Sequence, residues 1–228
     1  MIMVIVIQLR AKSASFPPEV NRERSLVFQW AGLQDLTNPN WQSNGPISYR
    51  TAKACFKDLT TPEAVTIYQM KETMLASQSA GEKMSCDVQQ TDEAFWQVFE
   101  FSFIDGKPYD LADFESGLTK AVISEAVARK IFGTTDAVGK TIMLNHTEFT
   151  VSGVVKNVSM LANRAYAQVW IPLTSTDVIK NMWADGIMGG VQVVILAHSK
   201  DDFPAISEEA EILRKKYSES LNNKELLY

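Results

Sequence analysis

Residues 120–157 read KAVISEAVARKIFGTTDAVGKTIMLNHTEFTVSGVVKN, and the rest of the chain can be arranged around them. A short apolar run ends in Ile123 and meets Ser124, whose side-chain oxygen can satisfy the first free amides of a helix. Val127, Ile131 and Phe132 then recur three to four positions apart, the spacing of one apolar helix face. Gly133 follows, and glycine readily takes the left-handed conformation that ends many helices. After a turn through Asp136 and Gly139, two apolar runs, 141–144 and 149–155, flank Asn145, His146 and Thr147, which predicts a β-hairpin. The stretch is therefore β-α-β-β.

Gly133 together with Gly139, Lys140 and Thr141 imitates a phosphate-binding loop, in which glycine-rich backbone cradles phosphates and a lysine reaches the outer ones. The spacing is wrong, with five residues between the glycines instead of four. The order is also wrong, because a phosphate loop runs from strand into helix, whereas Gly133 follows a helix and Thr141 enters a strand. A helix stop and a tight turn account for both glycines, and Lys140 is expected to face solvent.

Outward from this stretch, composition sets the bounds. The chain has 228 residues, 46% of them hydrophobic and 21% charged, which is ordinary for a folded protein with a sizeable core. Its length allows one large domain or two small lobes. A net charge of -5 argues against nucleic acid as a partner, since phosphate binding needs a clustered basic surface. Cys55 and Cys86 can pair only if their separation and compartment permit. Cys55 shares an apolar helical face with Ala52 and Leu59, so a buried free thiol is the expectation. Residues 1–9, MIMVIVIQL, are too short to cross a membrane and lack the basic start of a secretory signal. Two readings of them stay open: a buried strand, or the last turns of a membrane helix.

Residues 10–44 are rich in Ser, Pro, Asn and Gln, with a strand-like island at 26–30. Phe16-Pro17-Pro18 and Asn38-Pro39-Asn40-Trp41 act as breakers, and Trp41 is expected to fold back onto the core, where its ring stabilises most. Ser48 caps a helix through Ala52, Cys55, Phe56 and Leu59. Alternation along 64–75 predicts one strand, polar residues 78–83 predict a lobe boundary, and 84–90 predict another strand before a helical turn at 95–98. A strand within 165–172 stops at Pro172. Met182, Trp183, Ile187 and Met188 are expected to be buried. Residues 191–197 form a strand, and 199–221 a helix whose apolar face carries Phe203, Ile206, Ala210, Leu213, Tyr217 and Leu221. Its acidic first half and basic second half suit the helix dipole and a solvated face. The fold class is α+β with two lobes: a discontinuous α/β lobe of residues 1–80 and 188–228, and an inserted β-rich subdomain of residues 81–187.

Residues able to do chemistry are scattered. His146 in the hairpin loop and His198 at a strand end have no metal-ligand spacing. A nucleophile elbow is absent, and Ser124, flanked by Ile123 and Glu125 instead of glycines, reads as a cap. Asp110 with Asp113 and Asp201 with Asp202 lie in polar stretches where solvated charge is the default. No catalytic residue, metal ligand or cofactor site is assigned.

The segments 92–99, 103–108, 121–125, 128–133, 138–140 and 149–158 occur in one fixed order. That order resembles the extracytoplasmic, periplasmic core domain of MacB/FtsX-type ABC transporter permeases, closely over 92–158 and loosely over 47–195. The resemblance implies a porter-like lobe with an inserted subdomain, held at the outer face of the inner (cytoplasmic) membrane. It implies no catalysis in this chain, and a role in coupling cytoplasmic ATP hydrolysis to substrate export or force transmission. The implied partners are the protein's own transmembrane helices, a cytoplasmic ABC ATPase subunit, a second permease subunit in a dimer, and a periplasmic adaptor or lipoprotein. Two other readings are an extracytoplasmic ligand- or peptide-binding module, suggested by the Met and Trp residues of 182–188 and Trp41, and an α/β enzyme of unrecognised type.

Overall fold

A computed structural model describes residues 17–38, 40–78, 81–180, 183, 186–221 and 223–227. Residues 1–9 and Met182, for which expectations were set above, lie outside the described residues. In chain order the first elements are β1 Ser25–Phe28, β2 Ala31–Asp35, β3 Gln42–Gly45, α1 Tyr49–Phe56 and β4 Ala64–Gln69. Then come β5 Glu72–Ser77, β6 Lys83–Thr91, α2 Phe95–Val98, β7 Phe103–Gly106, α3 Leu111–Glu115, β8 Lys120–Ser124 and α4 Glu125–Phe132. The last are β9 Thr141–Leu144, β10 Thr147–Val155, β11 Val169–Pro172, β12 Val191–Leu196, α5 Phe203–Glu219 and β13 Lys224–Leu227. Contacts group the described residues into two compact units, one of residues up to Glu23 with Lys71–Thr176 and one of Arg24–Met70 with those from Asp177 onward.

The unit of residues 71–176 is built on a closed ring of strands. β5 pairs antiparallel with β6, β6 parallel with β11, β11 antiparallel with β8, and β8 parallel with β10. β10 pairs antiparallel with β9, and β9 returns antiparallel to β5. Six strands thus form a barrel, and closure leaves few backbone groups free along sheet edges. Val88, Ile123, Ile142, Leu144, Val151 and Val169 fill its core, joined by Val127, Ala128 and Ile131 from α4. Ser124 caps α4 by accepting the Val127 amide at 3.4 Å, and Gly133 ends it at φ 72°. Asn145 and His146 have φ of 45° and 73°, the paired left-handed residues of a two-residue hairpin turn.

The other unit has an antiparallel sheet in which β12 lies between β1 and β4. All of β12 is buried, so its sequence VQVVIL reads as a nearly continuous apolar run. Helices α1 and α5 pack together, with Thr51 Oγ1 3.0 Å from Tyr217 Oη. A second sheet orders its three strands β13-β2-β3 and buries Leu33 and Leu226.

Several local expectations change. The alternation over 64–75 covers two strands, β4 and β5, which fall in different units because Met70 and Lys71 leave the ladder. Residues 31–45, read as breaker-rich, hold β2 and β3. Their signal is weak because β3, with the sequence QSNG, is a polar edge strand, and the other partner of β2 is β13, far along the chain. Trp41 is 39% exposed and does not cap the core, since it lies at the outer end of the β2–β3 ladder and its backbone carbonyl accepts the Asp35 amide. Arg214 leaves the solvated face of α5. It is buried, bonded to Glu211 at 2.6 Å and to the Leu226 carbonyl, and so ties β13 to the helix. Ile187 and Met188 are buried as expected, while Trp183 is exposed. Cys55 and Cys86 are both buried and are not joined in a disulfide.

Candidate functional site

Most of the residues that imitate chemistry make local structural hydrogen bonds. The Gly139 amide donates to the Val151 carbonyl at 2.8 Å and the Lys140 amide to Ala137 at 3.1 Å, so neither is available to a phosphate. Lys140 Nζ donates to the Asp136 carbonyl. Asp110 and Asp113 form a reciprocal cap on α3, and Ser199 with Asp202 does the same before α5. Burial opposes ionisation of Asp113, but the Lys120 ammonium 2.6 Å away and the Asp110 amide outweigh it and hold the carboxyl below its ordinary range. Among the described residues, no group of three or more His, Cys, Asp or Glu side chains could hold a metal ion. His146 is exposed in its hairpin turn and lines a surface cleft together with Lys83, Glu148, Leu75 and Met143. His198 is exposed beside Glu63, at 3.9 Å.

The most distinctive surface is the segment between β10 and β11. Three backbone hydrogen bonds fold it tightly: the Ala162 amide to Ser159 at 3.0 Å, Ala165 to Ala162 at 3.1 Å and Tyr166 to Ala162 at 2.7 Å. Ala162 and Ala165 are buried, and small side chains there let the turn sit close to the barrel. Glu19, itself buried, accepts the Arg164 amide at 2.7 Å and the Ala165 amide at 3.1 Å. Gln89 Nε2 donates to the Arg164 carbonyl at 2.8 Å, and the Trp170 indole to Ala165 at 3.2 Å. Lys71 Nζ donates to the Asn163 carbonyl at 3.1 Å and stands 5.2 Å from the Tyr166 ring centre. Arg22 reaches the Asn163 side chain at 3.4 Å.

Trp170 also belongs to an aromatic cluster outside the barrel core, in which Trp96 lies within 6.3 Å, centre to centre, of Phe95, Phe101, Phe103, Tyr109 and Trp170. Edge-to-face pairs of this kind add stability beyond their buried area. The segment is therefore anchored from several sides, yet Met160 and Leu161 at its tip are 74% and 48% exposed. Neither residue belongs to a motif or a periodic apolar pattern in the sequence. Their anchors, Glu19 and Lys71, lie far away in the chain, and no local pattern connects them.

Residues 2–213 match the MacB-like periplasmic core domain. The chain belongs to that family. It is a transporter-domain family and not a family of enzymes. The macrolide export ATP-binding/permease protein MacB of Pasteurella multocida (strain Pm70) is 23% identical over 119 residues, which is 52% of this chain and 18% of that protein. Solved structures share the fold. The extracellular domain of the noncanonic ABC-type transporter YknZ from Gram-positive bacteria superposes with a TM-score of 0.61 at 17% identity, covering 89% of this chain and all of that one. The periplasmic region of MacB from Actinobacillus actinomycetemcomitans gives a TM-score of 0.57 at 15% identity, covering 87% of each chain. A domain of a permease protein from Porphyromonas gingivalis gives 0.61 at 16% identity, covering 91% and 88%. The α+β fold is that of the MacB periplasmic domain. Among the described residues of this MacB-like domain, no helix is long and apolar enough to cross a membrane.

Proposed function

We propose that this MacB-like domain is the non-catalytic extracytoplasmic part of an ABC transporter permease, and that it couples ATP hydrolysis in the cytoplasm to substrate export or to force transmission across the envelope. The observation that carries this reading is the family match over residues 2–213. The two compact units correspond, in this proposal, to the discontinuous porter-like lobe and the inserted β-rich subdomain. A closed barrel with a filled core suits a body that moves as a whole, because packed interiors transmit displacement better than they deform. The partners are membrane helices of the same protein, a cytoplasmic ABC ATPase subunit, a second permease subunit, and a periplasmic adaptor or lipoprotein.

The test is topological and functional. Reporter fusions within the 228-residue region of the complete gene product should report the extracytoplasmic side, and membrane helices should flank the region. The complete protein should co-purify with an ABC ATPase whose turnover changes when the two units are cross-linked to each other. A cytoplasmic reporter signal, or a complete reading frame without membrane helices, overturns the proposal.

A further inference from the structure

We infer that the cleft on the outer face of the barrel is a binding site for a short zwitterionic peptide, two or three residues long, with an apolar side chain. The cleft measures about 320 Å³, and Leu75, Ser77, Lys83, Met143, His146 and Glu148 are among the residues that line it. Strand register sets its layout. Ser77 in β5 stands opposite Lys83 in β6 on one side and Met143 in β9 on the other, and Met143 stands opposite Glu148 in β10. The four form one row across four strands, with a cation at one end and a carboxylate at the other. They face outward, because the alternate positions Ala76, Leu144 and Phe149 are buried and successive side chains of a strand point to opposite faces. Glu82, the neighbour of Lys83 in the chain, is engaged by Lys130 at 2.8 Å, whereas Lys83 and Glu148 have no ion pair among the described residues.

Neighbouring strands lie about 4.8 Å apart, so the two ends of the row are roughly 14 Å apart at the backbone. Side chains leaning inward from both ends shorten that gap to the ~7–10 Å between the termini of an extended two- or three-residue peptide, at about 3.5 Å per residue. Lys83 takes the carboxylate and Glu148 the ammonium, both in charge-assisted hydrogen bonds. Leu75, 44% exposed, and Met143 supply apolar surface between them. A ligand of one sign only would be repelled at one end. The hairpin turn adds a second observation. Asn145 donates its amide to the Leu75 carbonyl at 3.1 Å and accepts the Leu75 amide on Oδ1 at 2.9 Å, which clamps the turn to β5. His146 then holds φ 73°, where glycine would be unstrained. A side chain kept there at a conformational cost points to use, and the imidazole has hydrogen-bonding groups for the peptide unit between the two charged ends. The site lies within one compact unit and does not rest on the transporter reading, so failure of one leaves the other standing.

The test titrates the 228-residue chain with the dipeptide Leu-Leu, its N-acetyl derivative and its C-terminal amide, with binding read by isothermal calorimetry. Each cap should weaken binding about tenfold, the loss of one charge-assisted contact. Lys83→Gln should bind Leu-Leu and its amide equally, and Glu148→Gln should bind Leu-Leu and its N-acetyl derivative equally, because each variant already lacks the contact that the cap removes. Gly-Gly should bind about tenfold more weakly than Leu-Leu. His146→Gly should weaken Leu-Leu binding about fivefold while its urea midpoint stays at or above that of the wild type, since glycine relieves the left-handed turn. The inference is overturned if Leu-Leu does not bind up to about 10 mM, if the capped peptides bind as tightly as the free one, or if either penalty survives in the matching variant. It is also overturned if Gly-Gly matches Leu-Leu, or if His146→Gly leaves binding unchanged or lowers the urea midpoint.

Discussion

Glu19 accepts the backbone amide of Arg164 at 2.7 Å across 145 positions of sequence, and the Ala165 amide at 3.1 Å. One buried carboxylate thereby fixes the loop that presents Met160. Carboxylate acceptors of backbone N–H groups are worth roughly 1.5–3 kcal/mol each when buried. Glu19→Gln should keep the shape, lose the charge-assisted strength and raise hydrogen exchange of the Arg164 and Ala165 amides before that of the barrel strands. Equal protection of those two amides in the variant and the wild type contradicts the assignment.

Gly153 in β10 faces Phe103 in β7 with no room for a side chain. A Cβ there would come 2.7 Å from the Phe103 ring and 2.9 Å from the Lys107 carbonyl. Gly153→Ala should therefore destabilise the protein by about 1–3 kcal/mol, the usual range for overpacking. Gly133→Ala meets no neighbour within 4 Å, and its cost should come only from the left-handed backbone, about 1 kcal/mol. Urea titrations of the two variants should separate steric from conformational cost.

The two serine caps should differ. Ser124 accepts the Val127 amide at a long 3.4 Å, so Ser124→Ala should cost about 0.5–1 kcal/mol. Ser48 accepts the Thr51 amide at 3.1 Å and also donates to the Gly186 carbonyl at 2.7 Å. Its removal also leaves the half-buried Gly186 carbonyl short of a donor, and Ser48→Ala should cost about 2 kcal/mol. Thermal denaturation of both variants checks the order.

Asp113 provides a pH dependence. Its folded-state pKa is depressed, so its contribution to stability is present above the unfolded value, near ~3.9, and is lost as pH falls through the folded value. Asp113→Asn should lower stability at neutral pH by about 1–3 kcal/mol, and the gap to wild type should close below about pH 4. A gap that stays constant down to pH 2 contradicts the Lys120 pairing.

Cys86 is buried, and burial together with the charge of Asp87 pushes its thiol up to about 11. Thiolate is the reactive form, so a thiol reagent at neutral pH should label Cys86 only as fast as the protein unfolds. Fast labelling of the native protein contradicts this burial.

Much of the barrel was legible in the residues themselves. The β8-α4-β9-β10 order followed from Ser124, Gly133 and the apolar runs, because caps and short-range periodicity act within a few positions of the chain. The family blocks lie in the same region. Other elements were hidden for physical reasons. β3 is polar and at an edge, so it needs no apolar alternation. β13 is short and becomes a strand only by pairing with β2. The split between β4 and β5 carries no breaker residue, only a change of partner.

By itself, the sequence determined four of the five α-helices described above, the hairpin and the family resemblance, since propensity, capping and apolar spacing are local properties. Only the tertiary structure decided that the strands of residues 71–176 close into a ring, that Arg214 is buried, and that Met160 is held exposed on an anchored loop. These depend on hydrogen bonds and packing between residues far apart in the chain, such as Glu19 with Arg164 and Arg214 with Leu226, and no local pattern encodes them.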